Sequence, residues 1–432
     1  MAKYLSFSIL AKYLTLFQCM MLQSDKVEKF KYSRRPEDSL HAKYNALNFS
    51  TVVGDGDWGH LQLDAIGLFL LFLSQMTASG LSIIYTLDEV AFIQNLVFYI
   101  ETAYRTPDYG IWERGDKTNH GLTELNASSI GMCLAALEAI DGLDLFQSKG
   151  GFNSIIHVSP DEKARCQDIL QSLLPRESRS KEVGAALLPI ISFPAFAVTD
   201  SKVFADTYDK IMEQLRGKYG FVRFLRDGYQ TPLEDKNRLH YEPAELEQFD
   251  SIECQWPLFH CFHLIERVFY LNSVGEKDEE AVQQEIAAIR SILDDLLVQD
   301  ETIMRGKKLM PCLYSISADQ VATEKEEPNS SERCAVGPIP HLWGQSLYIL
   351  SRLLIENCIQ PSELDPLNRR LAMQRMSQVQ VACHTGQNFF FDRKIFEKNL
   401  YCRNRQGQTS PSYLKLSNFV KAFKSYDKNK HS

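Results

Sequence analysis

The 432 residues include only four tryptophans and no long apolar run. The longest uninterrupted run, Ala65 to Leu73, is about half of the ~20 residues that a membrane-spanning helix needs. Cysteine clusters are lacking as well. The ten cysteines (Cys19, Cys133, Cys166, Cys254, Cys261, Cys312, Cys334, Cys358, Cys383 and Cys402) include no C-x-x-C pair and no Cys/His group at zinc spacing. They read as reduced thiols of a cytosolic protein, not as a disulfide framework or a metal knuckle. No charge of one sign dominates: 47 basic against 55 acidic side chains give −8, which argues against a nucleic-acid binder. His260 and His263, at i and i+3, read as packed core histidines, so no metal and no cofactor is expected. Gly54-Asp55-Gly56-Asp57 lacks the strand before it and the Gly-Lys-Ser/Thr after it that a phosphate loop needs. Protein-kinase signatures, His-Arg-Asp and Asp-Phe-Gly among them, are absent. The first 20 residues faintly resemble a signal sequence, but Lys12 interrupts their apolar run, and a helix packed on the body is the better reading.

What is present divides by charge. From Arg369 to Ser432 there are 13 basic and 3 acidic residues, leaving 34 and 52 before them. An acidic body therefore carries a basic tail. Strong hydrophobic periodicity is helical almost everywhere. Thr86-Leu87-Asp88-Glu89 has the form of a capping box, with Phe92, Leu96, Tyr99 and Ile100 on one face behind it. Asn126 is placed to cap a helix through Ile140. Further helices are expected near Leu61 to Thr77, Asp161 to Leu174, Lys181 to Ile191, Ser201 to Leu215, Ile252 to Tyr270, Glu279 to Val298 and Leu342 to Glu356. Period-2 alternation is rare, the best case being Phe221 to Tyr229. Helices that are apolar nearly all round, such as Leu61 to Leu73, must be covered on most sides, which predicts an all-α body with an inner ring of helices inside an outer one. The polar stretch Ser317 to Gly337 is expected to be a mobile surface loop, and the tail is expected to lose order.

Each tryptophan sits in a polar setting: Trp58 in Asp55-Gly56-Asp57-Trp58-Gly59-His60, Trp112 in Gly110-Ile111-Trp112-Glu113-Arg114, Trp256 after Glu253-Cys254-Gln255, and Trp343 in His341-Leu342-Trp343-Gly344. Indoles beside carboxylates, amides and imidazoles suit sugar rings, whose C–H faces stack while their hydroxyls need polar partners. Taken singly, each Trp also fits a partly buried core position. Taken together, they predict a common cleft with Asp57, Trp58, His60, Trp112, Glu113, Arg114, Glu253, Trp256 and Trp343 as carbohydrate-binding candidates. Glu113 is a candidate general acid whose pKa would rise against the indole or fall beside Arg114, and Asp57, Asp64, Glu124, Glu245 and Glu253 are candidates for its partner.

The stretches Asp57 to Asp64, Phe92 to Tyr99, Gly110 to Gly115, Ser192 to Phe196, Arg223 to Tyr229 and Leu342 to Tyr348 closely resemble the α and β regulatory subunits of phosphorylase b kinase, from about Asp25 to Arg370 and more α than β. The resemblance implies a non-catalytic regulatory subunit acting in glycogen metabolism beside a kinase catalytic subunit, a β-type subunit and calmodulin. It implies an (α/α)6 barrel similar to glucoamylases over 25–370, incomplete at its start, between a divergent N-terminal helix (1–24) and a basic tail (371–432). It places Trp112-Glu113 where glucoamylases carry the general acid, and Cys312 where α subunits carry a Glu at the position of the base. A thiol of ordinary pKa is a poor substitute for that carboxylate. A glycoside hydrolase, or a module that binds glycogen or malto-oligosaccharide, is the alternative. Family members are lipid-anchored at the cytoplasmic face of the cell membrane, but Asn429-Lys430-His431-Ser432 is not a prenylation box. Leu416, Phe419, Val420 and Phe423 with Lys415, Lys421 and Lys424 form a short basic amphipathic stretch suited to calmodulin or an acidic membrane surface.

Overall fold

The computed structural model describes residues 13–370 except 15, 46, 57–59, 114, 147–150, 273–275 and 301–305. The basic tail and its amphipathic stretch lie outside the described residues, as do Asp57, Trp58 and Arg114. Among the described N-terminal residues, 16–21 are helical and bury Phe17 and Met20. Phe17 meets the Phe69 and Phe92 rings at 6.1 and 5.7 Å.

Helices of two kinds alternate along the chain. Ser24–Ser33 (α1) is followed by Leu63–Ala78 (α2), Leu87–Ala103 (α3), Ala127–Ile140 (α4), Pro160–Leu173 (α5), Leu188–Ile191 (α6), Ser201–Leu215 (α7), Leu258–Leu271 (α8), Glu276–Asp295 (α9) and Leu342–Ile355 (α10). All of α4 except Glu138 is buried, whereas α5 buries only Cys166 and Leu170. The same contrast separates α8 from α7, which buries Thr207, Ile211 and Leu215. Helices apolar all round line the inside and one-faced helices cover them, the layering of an (α/α)6 barrel. Neighbouring inner helices pack on each other, α2 on α4 and α8 on α10. Gly67 makes the first contact close: a Cβ there would lie 2.9 Å from the Met132 carbonyl. Helix α3 starts at the expected capping box, with both Thr86 and Glu89 side chains bonded to the backbone.

Several boundaries differ from expectation for local reasons. The helix expected from Ile252 begins at Leu258, because Pro257 disfavours α geometry for the residue before it and Gln255–Trp256 is a strand instead. The helix expected over Lys181 to Ile191 shrinks to Ala185–Ile191, since Gly184 is extended and bridges to Phe224. Phe221–Val222 (β1) is the only strand within the alternating stretch to Tyr229. With Gln255–Trp256 (β2), Leu313–Ser315 (β5) and Cys334–Val336 (β6) it forms a four-stranded antiparallel sheet, and Val298–Asp300 (β3) pairs with Lys307–Leu309 (β4). Strands of two or three residues are too short to show a period. The stretch Ser317 to Gly337 is largely exposed, but it is more than a loop: it holds the helix Val321–Glu326, whose Glu324 is fully buried against Arg333 at 2.8 Å.

Candidate functional site

The loop after α3 brings Trp112 and Glu113 to a cleft, and its root explains why they stay there. Asp108 is buried, and its carboxylate accepts from Leu63 N at 3.1 Å, Ser129 Oγ at 2.7 Å and Asn126 Nδ2 at 2.8 Å. Burial pushes its pKa up and these bonds oppose the rise. Asn126 stands at the start of α4 as expected but spends its amide on Asp108 and makes no side-chain cap bond. Gln62 Nε2 donates to the Gly110 carbonyl at 2.9 Å. Gly110 turns the chain at φ +68° and Glu113 itself stands at φ +54°, in the left-handed region that non-glycine residues seldom enter.

The cleft has a volume of about 780 Å³. Its lining includes Ile111, Trp112, Glu113 and Lys117, Arg223, Tyr229, Gln230 and Glu234, and residues 236–240. Three of the four tryptophans converge beside it. Trp112 lies 5.7 Å from Trp256 and 6.2 Å from Trp343, ring to ring, and Phe259 backs it at 5.8 Å. Sequence reading missed what fills the centre of this group. The Arg223 guanidinium lies over Tyr229 at 4.5 Å and over Trp112 and Trp256 at 4.9 Å each. Asp227 fixes it through Nε at 2.6 Å and Nη2 at 3.1 Å. A cation over an indole face holds it in place of a ligand, so this part of the aromatic bed is already occupied by the chain itself.

Glu113 is ion-paired with Lys43, which arrives from the loop before α2. An ammonium in contact favours the ionised carboxylate, the opposite of what a general acid needs. Lys43 is held below the ordinary lysine value by burial, while Asp64 pulls the other way. Cys312 is buried, and burial raises its thiol to about 11, so it is not a base near neutral pH.

The remaining sequence candidates fall elsewhere. Glu253 is buried, accepts from the Arg226 backbone amide at 2.6 Å, is pushed up to about 7 by burial and does not line the cleft. Glu124 is committed to a buried pair with Lys181 at 2.5 Å, and Glu245 pairs with Arg238 at 2.5 Å. His60 is a core residue, stacked on His41 at 4.6 Å and bonded to Ser39 at 3.0 Å. Trp343 and Asp64 line a separate, mostly apolar pocket of about 90 Å³ with Phe193 and Phe262. Among the described residues no group of three or more His, Cys, Asp or Glu side chains is arranged to hold a metal ion. No described helix is long and apolar enough to cross a membrane.

The family model described as Glycosyl hydrolases family 15 matches residues 3–426. The chain is similar to the phosphorylase b kinase regulatory subunit alpha, liver isoform, of Oryctolagus cuniculus, with 58% identity over 360 residues, 83% of this chain and 28% of that one. It is 55% identical to the probable alpha subunit of Drosophila melanogaster, covering 85% of this chain and 28% of that one. The corresponding figures for Caenorhabditis elegans are 50%, 86% and 29%. The chain thus spans less than a third of the length of these relatives. Its fold is that of a solved glycosidase with TM-score 0.51 and 15% identity, covering 82% of this chain and 81% of that one. A glycosidase variant solved in complex with glucose has TM-score 0.50 and 15% identity, with the same coverage.

Proposed function

As the chain belongs to glycosyl hydrolases family 15 and is similar over most of its length to a stretch of kinase regulatory subunits, we propose that it is a non-catalytic regulatory subunit of phosphorylase b kinase. In this role it controls the phosphorylation of glycogen phosphorylase by a separate catalytic subunit. The observation that carries this reading is the 58% identity over 83% of the chain. A β-type regulatory subunit and calmodulin are its further partners in a cytoplasmic hetero-oligomer.

The cleft at Trp112 and Glu113 then serves to sense glycogen or a malto-oligosaccharide without cutting it. Family membership favours a second reading, hydrolysis by the same cleft. Two points weigh against it: Glu113 is paired with Lys43, and Cys312, at the position the resemblance gives to the base, is a buried thiol raised to about 11. An inverting hydrolase needs one carboxylic acid and one carboxylate, and this pair supplies neither partner in the required state.

Co-expression tests the regulatory reading. The tagged full chain is expected to co-purify with the phosphorylase kinase catalytic subunit and to change its rate on phosphorylase b. A chain that folds, elutes alone and leaves that rate untouched contradicts the proposal.

A further inference from the structure

Most of the hydrogen-bonding capacity that lines the cleft is already spent inside the chain. Glu113 is paired with Lys43, Arg223 with Asp227 and Arg238 with Glu245. Lys117 stands 3.9 Å from Glu234, and neither of them is free. His240 lies 3.7 Å from Glu242. Lys236 and Asn237 have side chains without partners among the described residues, but both are exposed, so a ligand would have to order them as it binds. One polar group combines freedom with a fixed frame: Gln230 lines the cleft, is half-buried, and its side-chain amide has no hydrogen-bond partner among the described residues.

The backbone that carries this amide is held on both sides. The Gln230 N–H donates to Glu234 Oε2 at 2.7 Å, and the Gln230 carbonyl accepts from Ser315 Oγ at 3.2 Å. Before it, the Tyr229 N–H donates to Asp227 Oδ1 at 3.1 Å; after it, Thr231 donates to the Gly228 carbonyl through N at 3.1 Å and Oγ1 at 2.8 Å. These bonds keep Gln230 at φ +59°, in the left-handed region that non-glycine residues seldom enter. Such a conformation persists where the surroundings over-determine it, and ligand sites are where it collects. A sugar hydroxyl both donates and accepts, and a carboxamide does the same, whereas ammonium and guanidinium groups only donate. We propose that Gln230 is the residue through which the cleft reads the hydroxyls of a neutral glucan, its amide donating to one hydroxyl and accepting from another. The aromatic faces that Arg223 covers take no part in this contact. The inference rests on the sensing reading of the cleft and gives that reading a specificity-determining residue.

Calorimetry on the full chain tests it, with maltotriose and a set of monodeoxy maltotrioses as probes. Gln230→Met keeps the length of the side chain and removes its hydrogen-bonding end, and an unchanged thermal midpoint shows that the variant is folded. Maltotriose is expected to bind Gln230→Met about 3- to 10-fold more weakly than the parent, the worth of one neutral hydrogen bond. At least one deoxygenation that weakens binding to the parent should cost nothing further in Gln230→Met, because the two changes remove the same bond and are not additive. Gln230→Gly, which suits the left-handed backbone, should lose the same factor; a residue needed only for the turn would leave the affinity of that variant intact. If maltotriose binds the parent and both variants equally, or if every deoxy sugar loses the same factor on parent and Gln230→Met, the assignment to Gln230 is overturned while the sensing reading stands. If maltotriose does not bind the parent, the sensing reading fails and the assignment with it.

Discussion

Arg223→Ala is expected to lower the free energy of unfolding by about 3–5 kcal/mol, the usual cost of removing one member of a buried ion pair. Arg223 and Asp227 are both buried and joined through two hydrogen bonds. The substitution leaves the Asp227 carboxylate with its guanidinium gone, in a setting that water does not reach freely. It also removes the cation around which Trp112, Tyr229 and Trp256 are grouped, so the loss of stability should come with a changed tryptophan emission. Arg223→Lys is not a conservative rescue: an ammonium cannot make the planar, two-pronged bond to Asp227 or stack flat on three rings. Urea unfolding followed by fluorescence checks both variants. A cost below about 1 kcal/mol for the alanine variant, the range of an exposed pair, would show that the cluster is not organised around Arg223.

The second large effect is a pH dependence located at Asp64. This residue lies in the first turn of α2, and its Oδ1 has no hydrogen-bond partner among the described residues. Burial first, and the neighbouring Asp108 next, push its pKa up to about 7, although the helix-start amides of Asp64 and Ala65 oppose the shift. In the unfolded chain it returns to about 3.9. The folded state therefore holds the proton more tightly, and stability falls as pH rises from about 4 to about 7 and then levels off. Over that window this one group removes up to about 4 kcal/mol. Asp64→Asn keeps the shape and never acquires the charge. It is expected to match the parent near pH 4 and to be more stable than the parent at pH 8. Glu177 and Glu266 are likewise raised to about 7, so the parent's slope is a sum, and the difference between the two proteins isolates Asp64. Parallel stability curves for parent and variant from pH 4 to 8 would contradict the assignment.

The layout of the barrel was legible because long helices advertise themselves. Phe92, Leu96 and Ile100 recur at helical spacing behind a capping box, and α2, α4 and α8 are apolar on nearly every face. Elements set by tertiary pairing were not legible. Gln255–Trp256 is a strand because it pairs with Phe221–Val222 and precedes Pro257, and neither reason leaves a period in two residues. The fate of Ser317 to Gly337 turned on Glu324 and Arg333, nine positions apart, finding each other away from solvent. The polar composition of that stretch pointed to a loop.

The site was legible as a gathering of tryptophans and not as chemistry. Trp112, Trp256 and Trp343 do converge, yet the feature that decides what their faces can accept is Arg223, whose only local signal is Asp227 four residues on. Lys43 reaches Glu113 across 70 positions of sequence, and nothing near either residue announces the pair. Glu253 is one of five carboxylates that the sequence offers as a catalytic partner, but its side chain is buried on the Arg226 amide and does not line the cleft.

The measurement that tests the central claim most directly is glucose release from maltotriose by the full chain, run beside Glu113→Gln. With Glu113 paired to Lys43 and Cys312 a protonated thiol, the acid and base positions proposed from the family resemblance should release no glucose above blank, and Glu113→Gln should change nothing. Release by the parent that disappears in Glu113→Gln would show a working glycosidase and contradict the account.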